Sequence, residues 1–432
     1  MSGKSAIVLQ PIGLRNCRRR RDHETARLLP ANVLAALGID QKAPSHDVIE
    51  QWTLRLGVAE LGDTFSKDQR VLWMADHSSQ IGNEKVLLII GVALEDLPRP
   101  GETLQLKRMK VLAIVPGQQW KKEDVEREYR KLAEKIGPPA YLLCDGAVEL
   151  RDPADKLEKD GQKTIVLGDL KHHAANLLEK EIGRSERFKS FLTEVGLTRN
   201  RVQQTELSHF APPPLKQKSR FMNVGPLLRW SQMVVYHLDH PEGQARQGVS
   251  EERMEAKLGW LRSFAAELTQ WSACQEVIDL SLEMINTQGL DRESPERLRL
   301  VLKSQLANSN SASNPALQLA KKLLTWVEQT ASSLRPGDRA WLSTEILESL
   351  FGRFKRLERQ HSKGGFTRLI AALPTLCRTV DASLVRRRFK EANAKTLKSW
   401  LAGTLAQTLT ARRNLAYHES RTGKANHVIA SA

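Results

Sequence analysis

Three acidic side chains and one lysine have the types and spacing that phosphate chemistry requires. Glu348 and Lys355 are seven residues apart in a segment with helical periodicity, so they share one face of a helix, two turns apart. Asp76 and Asp145 each follow an apolar, strand-like run. Carboxylates at the ends of neighbouring strands, with a third on a helix across them, can hold two divalent metal ions roughly 3.5–4 Å apart. This set predicts an enzyme that cuts and joins nucleic acid.

Each acidic residue alone also has an ordinary structural interpretation. Asp76 could begin a turn or cap a helix, and Asp145 precedes Gly146, as in many turns. Glu348 could be a solvated helix residue. The catalytic interpretation depends on all three, because the two aspartates end strands that the predicted order places side by side. We therefore predict Asp76, Asp145 and Glu348 as catalytic residues and as ligands of two Mg²⁺ or Mn²⁺ ions.

Four further residues are weaker candidates. Asp169 follows another strand-like run and could be a rival second aspartate, but capping the next helix is the favoured interpretation. His172 and His173 are adjacent, so on a helix they point about 100° apart and do not readily share a metal. We interpret them as lying near a phosphate or simply at the surface. Glu345 could assist a metal, although a solvated position is favoured.

The charge of the chain indicates a polyanionic partner. Its 432 residues carry a net charge of +16, and the isoelectric point is about 9.7, which favours nucleic acid. From Phe351 to the end, 17 Lys and Arg stand against 4 Asp and Glu. Most of the excess therefore follows Glu348 directly.

Two groups of basic residues are candidates for binding DNA phosphates. One group lies on the Glu348 helix, and the other lies in a proline-interrupted basic stretch, for which an ordinary basic loop is the alternative. The candidates are Arg353, Lys355, Arg356 and Arg359 in the first group and Lys216, Lys218 and Arg220 in the second.

Several classes of protein are disfavoured. The four cysteines are scattered with no CxxC pair, which argues against a zinc site and a disulfide framework and suits a reducing compartment. The arginine run Arg18–Arg21 is not followed by an apolar core, so it does not form a signal peptide. The longest apolar run, Val86–Leu94, is too short to span a bilayer. We expect a cytoplasmic protein without a membrane partner.

The segment 70–195 alternates strands and helices, which predicts an α/β fold. Three strands in a meander, a helical crossover and a fourth strand form the order of the ribonuclease-H-like fold, in which the first and fourth strands are neighbours. The predicted strands are Val71–Ala75, Lys85–Ala93, Thr103–Val115, Ala140–Cys144 and Thr164–Gly168, and the predicted crossover helix is Glu123–Ile136.

The rest of the chain is predicted to be helical, so a large helical insertion interrupts the ribonuclease-H-like catalytic core. Two short helices, Pro30–Gly38 and Ser45–Gly57, could form a helix-turn-helix or a plain helical hairpin. The predicted domains are 1–60, a helical DNA-binding region; 65–195, the first part of the core; 196–340, the insertion; 341–375, the final core helices with Glu348; and 376–432, a basic helical C-terminal region.

The chain resembles DDE transposases of bacterial insertion sequences. The resemblance covers about residues 44–375 and is carried by the segments Val48–Gly57, Trp73–Gly82, Leu143–Gly146, Gln204–Asn223 and Thr344–Lys355. It implies that Asp76, Asp145 and Glu348 form the catalytic triad and that Lys355 contacts the DNA backbone near the scissile phosphate.

The resemblance also implies the reaction and the partners. Hydrolysis at the transposon end would give a 3′-hydroxyl, and strand transfer into target DNA would follow. The partners would be the terminal inverted repeats, the target DNA and a second copy or more of the chain, in the bacterial cytoplasm with the nucleoid. Two alternatives stay open: a ribonuclease-H-like nuclease or resolvase without strand transfer, and a non-catalytic DNA-binding protein derived from a transposase.

Overall fold

The protein is described by a computed structural model in which residues 45–77, 81–214, 220–240, 250–306, 314–359, 366–406 and 408–421 are placed. The described chain divides into two compact units. The first takes the residues up to Pro98, Leu104–Leu167 and those from Thr344 onward. The second takes Arg99–Thr103 and Gly168–Ser343. The predicted helix Pro30–Gly38, and with it half of the possible helix-turn-helix, lies outside the described residues, so that interpretation stays a prediction.

The first unit is built on a five-stranded mixed sheet with the strand order β3-β2-β1-β4-β7. β1 pairs with β2, and β2 with β3, in antiparallel fashion, whereas β1 and β4 are parallel. The predicted meander and the predicted neighbourhood of the first and fourth strands are therefore confirmed. The elements are α1 His46–Gly62, β1 Val71–His77, β2 Leu87–Ala93, β3 Lys110–Val115, α2 Lys122–Ile136, β4 Tyr141–Cys144, α3 Val148–Ala154, β5 Glu158–Lys159, β6 Gln162–Lys163 and β7 Ile165–Gly168.

The crossover helix α2 explains why β4 is parallel to β1. A parallel return needs a long connection, and α2 supplies it by packing one apolar face onto the sheet. Val125, Tyr129, Leu132 and Ile136 recur every three or four residues, so they form one stripe, and all four are buried. The Tyr129 ring meets Trp73 of β1 edge to face at 6.2 Å between centroids, which fixes the helix over the centre of the sheet.

Three predicted strand boundaries are wrong by two residues or more. The first strand ends at His77 rather than at Ala75, so Asp76 lies within it. The third strand begins at Lys110, because a 3₁₀ turn, Leu106–Arg108, precedes it. The alternating leucines before this turn imitate a strand, but Arg108 donates to the carbonyl oxygen of Asp96 at 2.9 Å and the chain turns there. The second strand begins at Leu87 rather than two residues earlier.

Helix α1 begins as predicted but does not end where predicted. The Ser45 hydroxyl accepts a hydrogen bond from the Val48 amide, as an N-cap does. Gly57 does not stop the helix, which continues to Gly62. A Cβ at Gly57 would lie 1.8 Å from the carbonyl oxygen of Ala371. The glycine is therefore explained by a close backbone approach rather than by helix termination.

The C-terminal end of α1 is held by a buried ion network. The Glu60 carboxylate, 3% exposed, accepts hydrogen bonds from Arg378 at 2.7 Å and Arg388 at 2.6 Å. Asp63 accepts from Arg388 and from Lys110. Burial alone would raise the pKa of Asp63, but these cations lower it below its ordinary value. The network joins α1 to residues more than 300 positions later in the chain.

The last elements of the first unit are helical. They are α11 Glu345–Arg359, a 3₁₀ segment Arg368–Cys377, α12 Ala382–Glu391, α13 Ala394–Leu405 and α14 Leu409–Arg421. The predicted helix around Glu348 is observed, and the described part of the C-terminal region, up to Arg421, is helical as predicted.

The second unit is helical apart from short connections. It contains α4 Leu170–Leu178, α5 Glu186–Val202, α6 Gly225–Asp239, α7 Glu251–Leu258, α8 Ala265–Gln288, α9 Ser294–Gln305 and α10 Pro315–Ser333. An aromatic core, in which Phe188, Phe191 and Trp271 lie within about 6 Å of one another, binds α5 to α8. The unit includes 168–195, which the sequence assigned to the core. Among the described helices, none is long and apolar enough to cross a membrane.

Candidate active site

Asp76 and Asp145 come together at the ends of two parallel strands. β1 and β4 pair with Met74 opposite Leu143. Continuing this register by two residues places Asp76 level with Asp145. Level residues on neighbouring strands project to the same face of the sheet. Both aspartates are partly buried, so two carboxylates share a semi-enclosed edge of the sheet.

The charges of Asp76 and Asp145 both affect the pKa of the buried thiol of Cys144. Its pKa is raised to about 12, mainly by burial, and the charges of Asp145 and Asp76 both add to the rise. Both carboxylates therefore act electrostatically on the same sulfur atom.

A turn fixes the Asp145 carboxylate. Its Oδ1 atom accepts a hydrogen bond from the Ala147 amide at 3.0 Å, and Gly146 adopts φ +95°, which glycine allows. The turn interpretation of this residue is thus correct, and it is compatible with a ligand role. The hydrogen bond occupies one carboxylate oxygen and holds the other in a defined direction.

His77, which the sequence analysis did not select, follows Asp76 in β1 and projects to the opposite face of the sheet. Its side chain is 5% exposed, and its ring stacks on Trp120 with 5.8 Å between centroids and 14° between planes. Burial, with a contribution from the charge of Lys85, lowers the pKa of His77 to about 4. The imidazole is therefore neutral at physiological pH. Its Nε2 atom has no hydrogen-bond partner among the described residues.

Glu149 brings another carboxylate to the same region. It lies on α3, four residues after Asp145, and its Oε1 atom is 3.8 Å from Nδ1 of His77. Both Glu149 and Asp145 oppose the lowering of the His77 pKa, so both are close to the ring. Sequence patterns do not reveal this proximity, because it depends on the turn that folds α3 back beside β1.

Glu348 lies on α11, which contacts β1. The helix buries a face formed by Leu347, Leu350, Phe351 and Phe354, and Glu348 lies on the exposed side. Its amide donates to the Thr344 carbonyl oxygen at 3.2 Å in the first turn.

The predicted face of α11 exists as an open stripe. Glu348, Gly352, Lys355 and Arg359 follow one another at helical spacing, so they occupy one side of the helix. Nothing lies within 4 Å of the position that a Cβ would take at Gly352. The stripe therefore has room for an added side chain at Gly352, between its acidic and its basic side chains.

The described residues contain no group of three Asp, Glu, His or Cys side chains placed to hold a metal ion. The structure brings Asp76 and Asp145 together, and it puts Glu348 on a helix in contact with their sheet without completing a three-ligand group. In kind, the donors fit Mg²⁺ or Mn²⁺, which prefer carboxylate oxygens. The predicted ligand set stays a prediction.

The rival aspartate has a structural explanation. Asp169 is 3% exposed and accepts a hydrogen bond from the His172 amide at 2.8 Å, so it caps α4. The favoured capping interpretation is confirmed. His173 stacks on Trp326 at 4.4 Å, and burial lowers its pKa to about 4. These residues belong to the second unit.

The basic candidates on α11 are accessible. Arg353, Arg356 and Arg359 are exposed and Lys355 is half-buried, and the three arginines form no salt bridge with the described part of the chain. Arg220 begins a 3₁₀ turn, Arg220–Asn223. The other two loop candidates, Lys216 and Lys218, lie outside the described residues.

Comparison with known proteins gives little direct identification. No family model matches the chain, and no curated protein matches it. One solved structure that is similar is the Drosophila P element transposase strand transfer complex, with a TM-score of 0.42 and 12% sequence identity. The similarity covers 86% of this chain and 94% of that chain. This TM-score is too low to establish a shared fold.

Proposed function

We propose that the protein is a DNA transposase of the bacterial insertion-sequence type, which cleaves DNA at transposon ends and transfers the strand into target DNA. One observation carries the proposal. The parallel pairing of β1 with β4 brings Asp76 level with Asp145. The helix that carries Glu348, α11, contacts β1, the strand of Asp76. A pair of carboxylates with a third acid on an adjacent helix is the arrangement that metal-dependent phosphoryl transfer requires.

The sheet supports a ribonuclease-H-like core. Three antiparallel strands and a fourth strand parallel to the first follow the order of that fold. The second unit separates β7 from α11 along the chain, which supports a helical insertion between the second aspartate and the glutamate.

Asp76, Asp145 and Glu348 would hold the Mg²⁺ or Mn²⁺ ions. When bound, such ions activate the attacking water or 3′-hydroxyl and stabilise the leaving oxygen. The chain itself fixes one carboxylate through the Asp145 turn.

The open stripe on α11 would receive the DNA. Lys355 and Arg359 follow Glu348 on it, and Arg353 and Arg356 flank it, so phosphates on both sides of the scissile bond would meet cations. The space at Gly352 would allow the DNA to approach the helix closely. The proposed assembly is a homodimer or larger oligomer on paired inverted repeats, in the cytoplasm with the nucleoid.

Cleavage of DNA that carries the element's own ends, in Mg²⁺ or Mn²⁺, tests the proposal. We expect Asp76→Asn, Asp145→Asn and Glu348→Gln each to lower cleavage by about 100-fold or more, while DNA binding persists. Asp155→Asn changes an exposed aspartate after α3 and serves as the matched control. Full activity of Glu348→Gln would exclude the assignment. Cleavage without joining to target DNA would indicate a nuclease or resolvase, and binding without cleavage would indicate a non-catalytic DNA-binding protein.

A further inference from the structure

We propose that α14, Leu409–Arg421, is a DNA-binding arm that the buried carboxylate of Glu84 anchors near the end of strand β1. This inference rests on the proposed function, because it assumes that the nucleic acid is DNA engaged at the Asp76 edge of the sheet. It assigns a role to a helix and to an acidic residue that the catalytic proposal does not use.

The first observation is the exposure of α14. Every residue from Arg412 to Ser420 is exposed, including the large side chains Leu415 and Tyr417, each 59% exposed. An isolated helix of this length is marginal in water, since most helical stability in proteins comes from packing. We therefore expect a partner to cover this helix.

The second observation is the charge of the exposed surface. Arg412 and Arg413 form no salt bridge with any residue that the structure describes. The exposed arginines of α2 behave differently, because Arg127 pairs with Asp124 at 2.8 Å and Arg130 pairs with Glu126 at 2.8 Å. α14 carries three arginines and one acidic residue, Glu419, so its net positive charge favours a polyanion as its partner.

The third observation is the anchor. Glu84 lies in the turn between β1 and β2, where its backbone bridges to Ile81. Its side chain is buried, with the residue 1% exposed. Its Oε1 atom accepts a hydrogen bond from the Leu409 amide at 2.7 Å, and its Oε2 atom accepts one from Gln118 at 3.1 Å. A carboxylate oxygen that accepts from the first amide of a helix satisfies a donor that the helix itself leaves unpaired, and so stabilises that end.

The anchor determines where the arm begins. β1 ends with Asp76 and His77, and the connection from β1 to β2 that follows them holds Glu84. α14 therefore starts beyond the same end of β1 that carries the candidate catalytic aspartate. DNA with a scissile phosphate at Asp76 would continue along this side of the first unit. Arg413 and Tyr417, four residues apart on one face, suit contact with phosphate and sugar.

Equilibrium binding of the full chain to a fluorescent duplex tests the arm. The duplex carries the element's end together with flanking DNA, and metal is omitted so that binding is separated from cleavage. We expect Arg412→Ala/Arg413→Ala to weaken binding about tenfold at moderate salt and to reduce the slope of log K against log salt by about two. The matched control, Arg127→Ala/Arg130→Ala, should change affinity by less than about twofold, because those charges already have acidic partners.

Two substitutions of Glu84 test the anchor separately from the arginines. Glu84→Gln keeps an oxygen acceptor for the Leu409 amide and should retain most of the affinity, whereas Glu84→Ala should lose as much as the arginine variant. Circular dichroism shows whether Glu84→Ala is folded. If it is not, Arg412→Lys/Arg413→Lys, which keeps the charge and should keep the salt slope, replaces it.

Unchanged DNA affinity and an unchanged salt slope in Arg412→Ala/Arg413→Ala would overturn the proposal that α14 binds DNA. Loss of oligomers in sedimentation, with DNA affinity intact, would overturn it in favour of a contact between copies of the chain. A wild-type protein that binds through the arm but never cleaves would refute the transposase proposal and leave the arm standing.

Discussion

Asp76 of β1 and Asp145, directly after β4, are level with one another across a parallel strand pair. The relationship exists because α2 crosses over the sheet and returns the chain in the direction of β1. The turn after β4 then holds Asp145 by a hydrogen bond from the Ala147 amide. Two residues distant in sequence thus form one acidic edge.

Divalent metal should stabilise the folded protein through this edge. A ligand that binds only the folded state at ten times its dissociation constant adds about 1.4 kcal/mol to the free energy of unfolding. We expect Mg²⁺ or Mn²⁺ to raise the thermal midpoint of the wild type and to have little effect on Asp145→Asn. Differential scanning fluorimetry with and without EDTA measures both. Asp155→Asn should respond as the wild type does, and an equal response of Asp145→Asn would argue against the ligand role.

Two substitutions at Gly352 should act differently, one on the stability of the fold and the other on DNA cleavage. It lies within α11 with open space around its Cβ position, so Gly352→Ala should stabilise the protein by about 0.5–1 kcal/mol. Gly352→Leu should keep the fold but cover the stripe between Glu348 and Lys355, and we expect cleavage to fall about tenfold. Gly196→Leu, on α5 and equally open, is the control. Equal activity of the two leucine variants would mean that DNA does not approach α11 here.

Much of the sheet could be predicted from the sequence because its signals are local. Apolar runs mark β1, β2 and β4, the stripe on α2 marks a crossover helix, and this order leaves few arrangements for the strands. The same local signals failed between Thr103 and Met109, where an alternating pattern belongs to a turn. There, the chain forms a 3₁₀ turn, Leu106–Arg108, and the Arg108 side chain donates to the carbonyl oxygen of Asp96.

The candidate site was only partly predictable, for a related reason. Asp76 and Asp145 could be found because each lies at the end of an apolar run, Asp76 in the last part of β1 and Asp145 directly after β4. His77 and Glu149 could not, because their proximity depends on the turn after β4 and on the stacking of His77 over Trp120. Asp169 also follows a strand, yet it caps a helix. Position after a strand therefore suggests a site residue but does not establish one.

Because of the close approach at Gly57, we expect a glycine-to-alanine substitution to change the free energy of unfolding differently at the two glycines of α1. Gly57→Ala would force a methyl group into the Ala371 carbonyl, 1.8 Å from the ideal Cβ position, and backbone cannot move aside easily. We expect the free energy of unfolding to fall by about 2–3 kcal/mol. Gly62→Ala, at the end of the same helix with nothing within 4 Å, should be neutral or slightly stabilising. Urea unfolding of both variants distinguishes them, and similar values would rule out the packing role.

His173 should make the stability of the protein depend on pH in the weakly acidic range. Burial lowers its pKa from 6.5 to about 4, so below pH 6.5 the unfolded chain binds a proton that the folded chain does not. The stability from the neutral ring is therefore complete above pH 6.5 and decreases as the pH falls toward 4. His173→Phe keeps a ring against Trp326 but cannot be protonated.

Between pH 7 and pH 4 we expect the wild type to lose about 1–2 kcal/mol more than His173→Phe, a figure reduced for the partial exposure of the ring. Urea unfolding of both proteins across this range measures the difference. The two curves should coincide in slope above pH 6.5, where both rings are neutral. Parallel curves down to pH 4 would show that His173 is protonated equally in the folded and unfolded chains, and that its stack on Trp326 does not exclude the charged form.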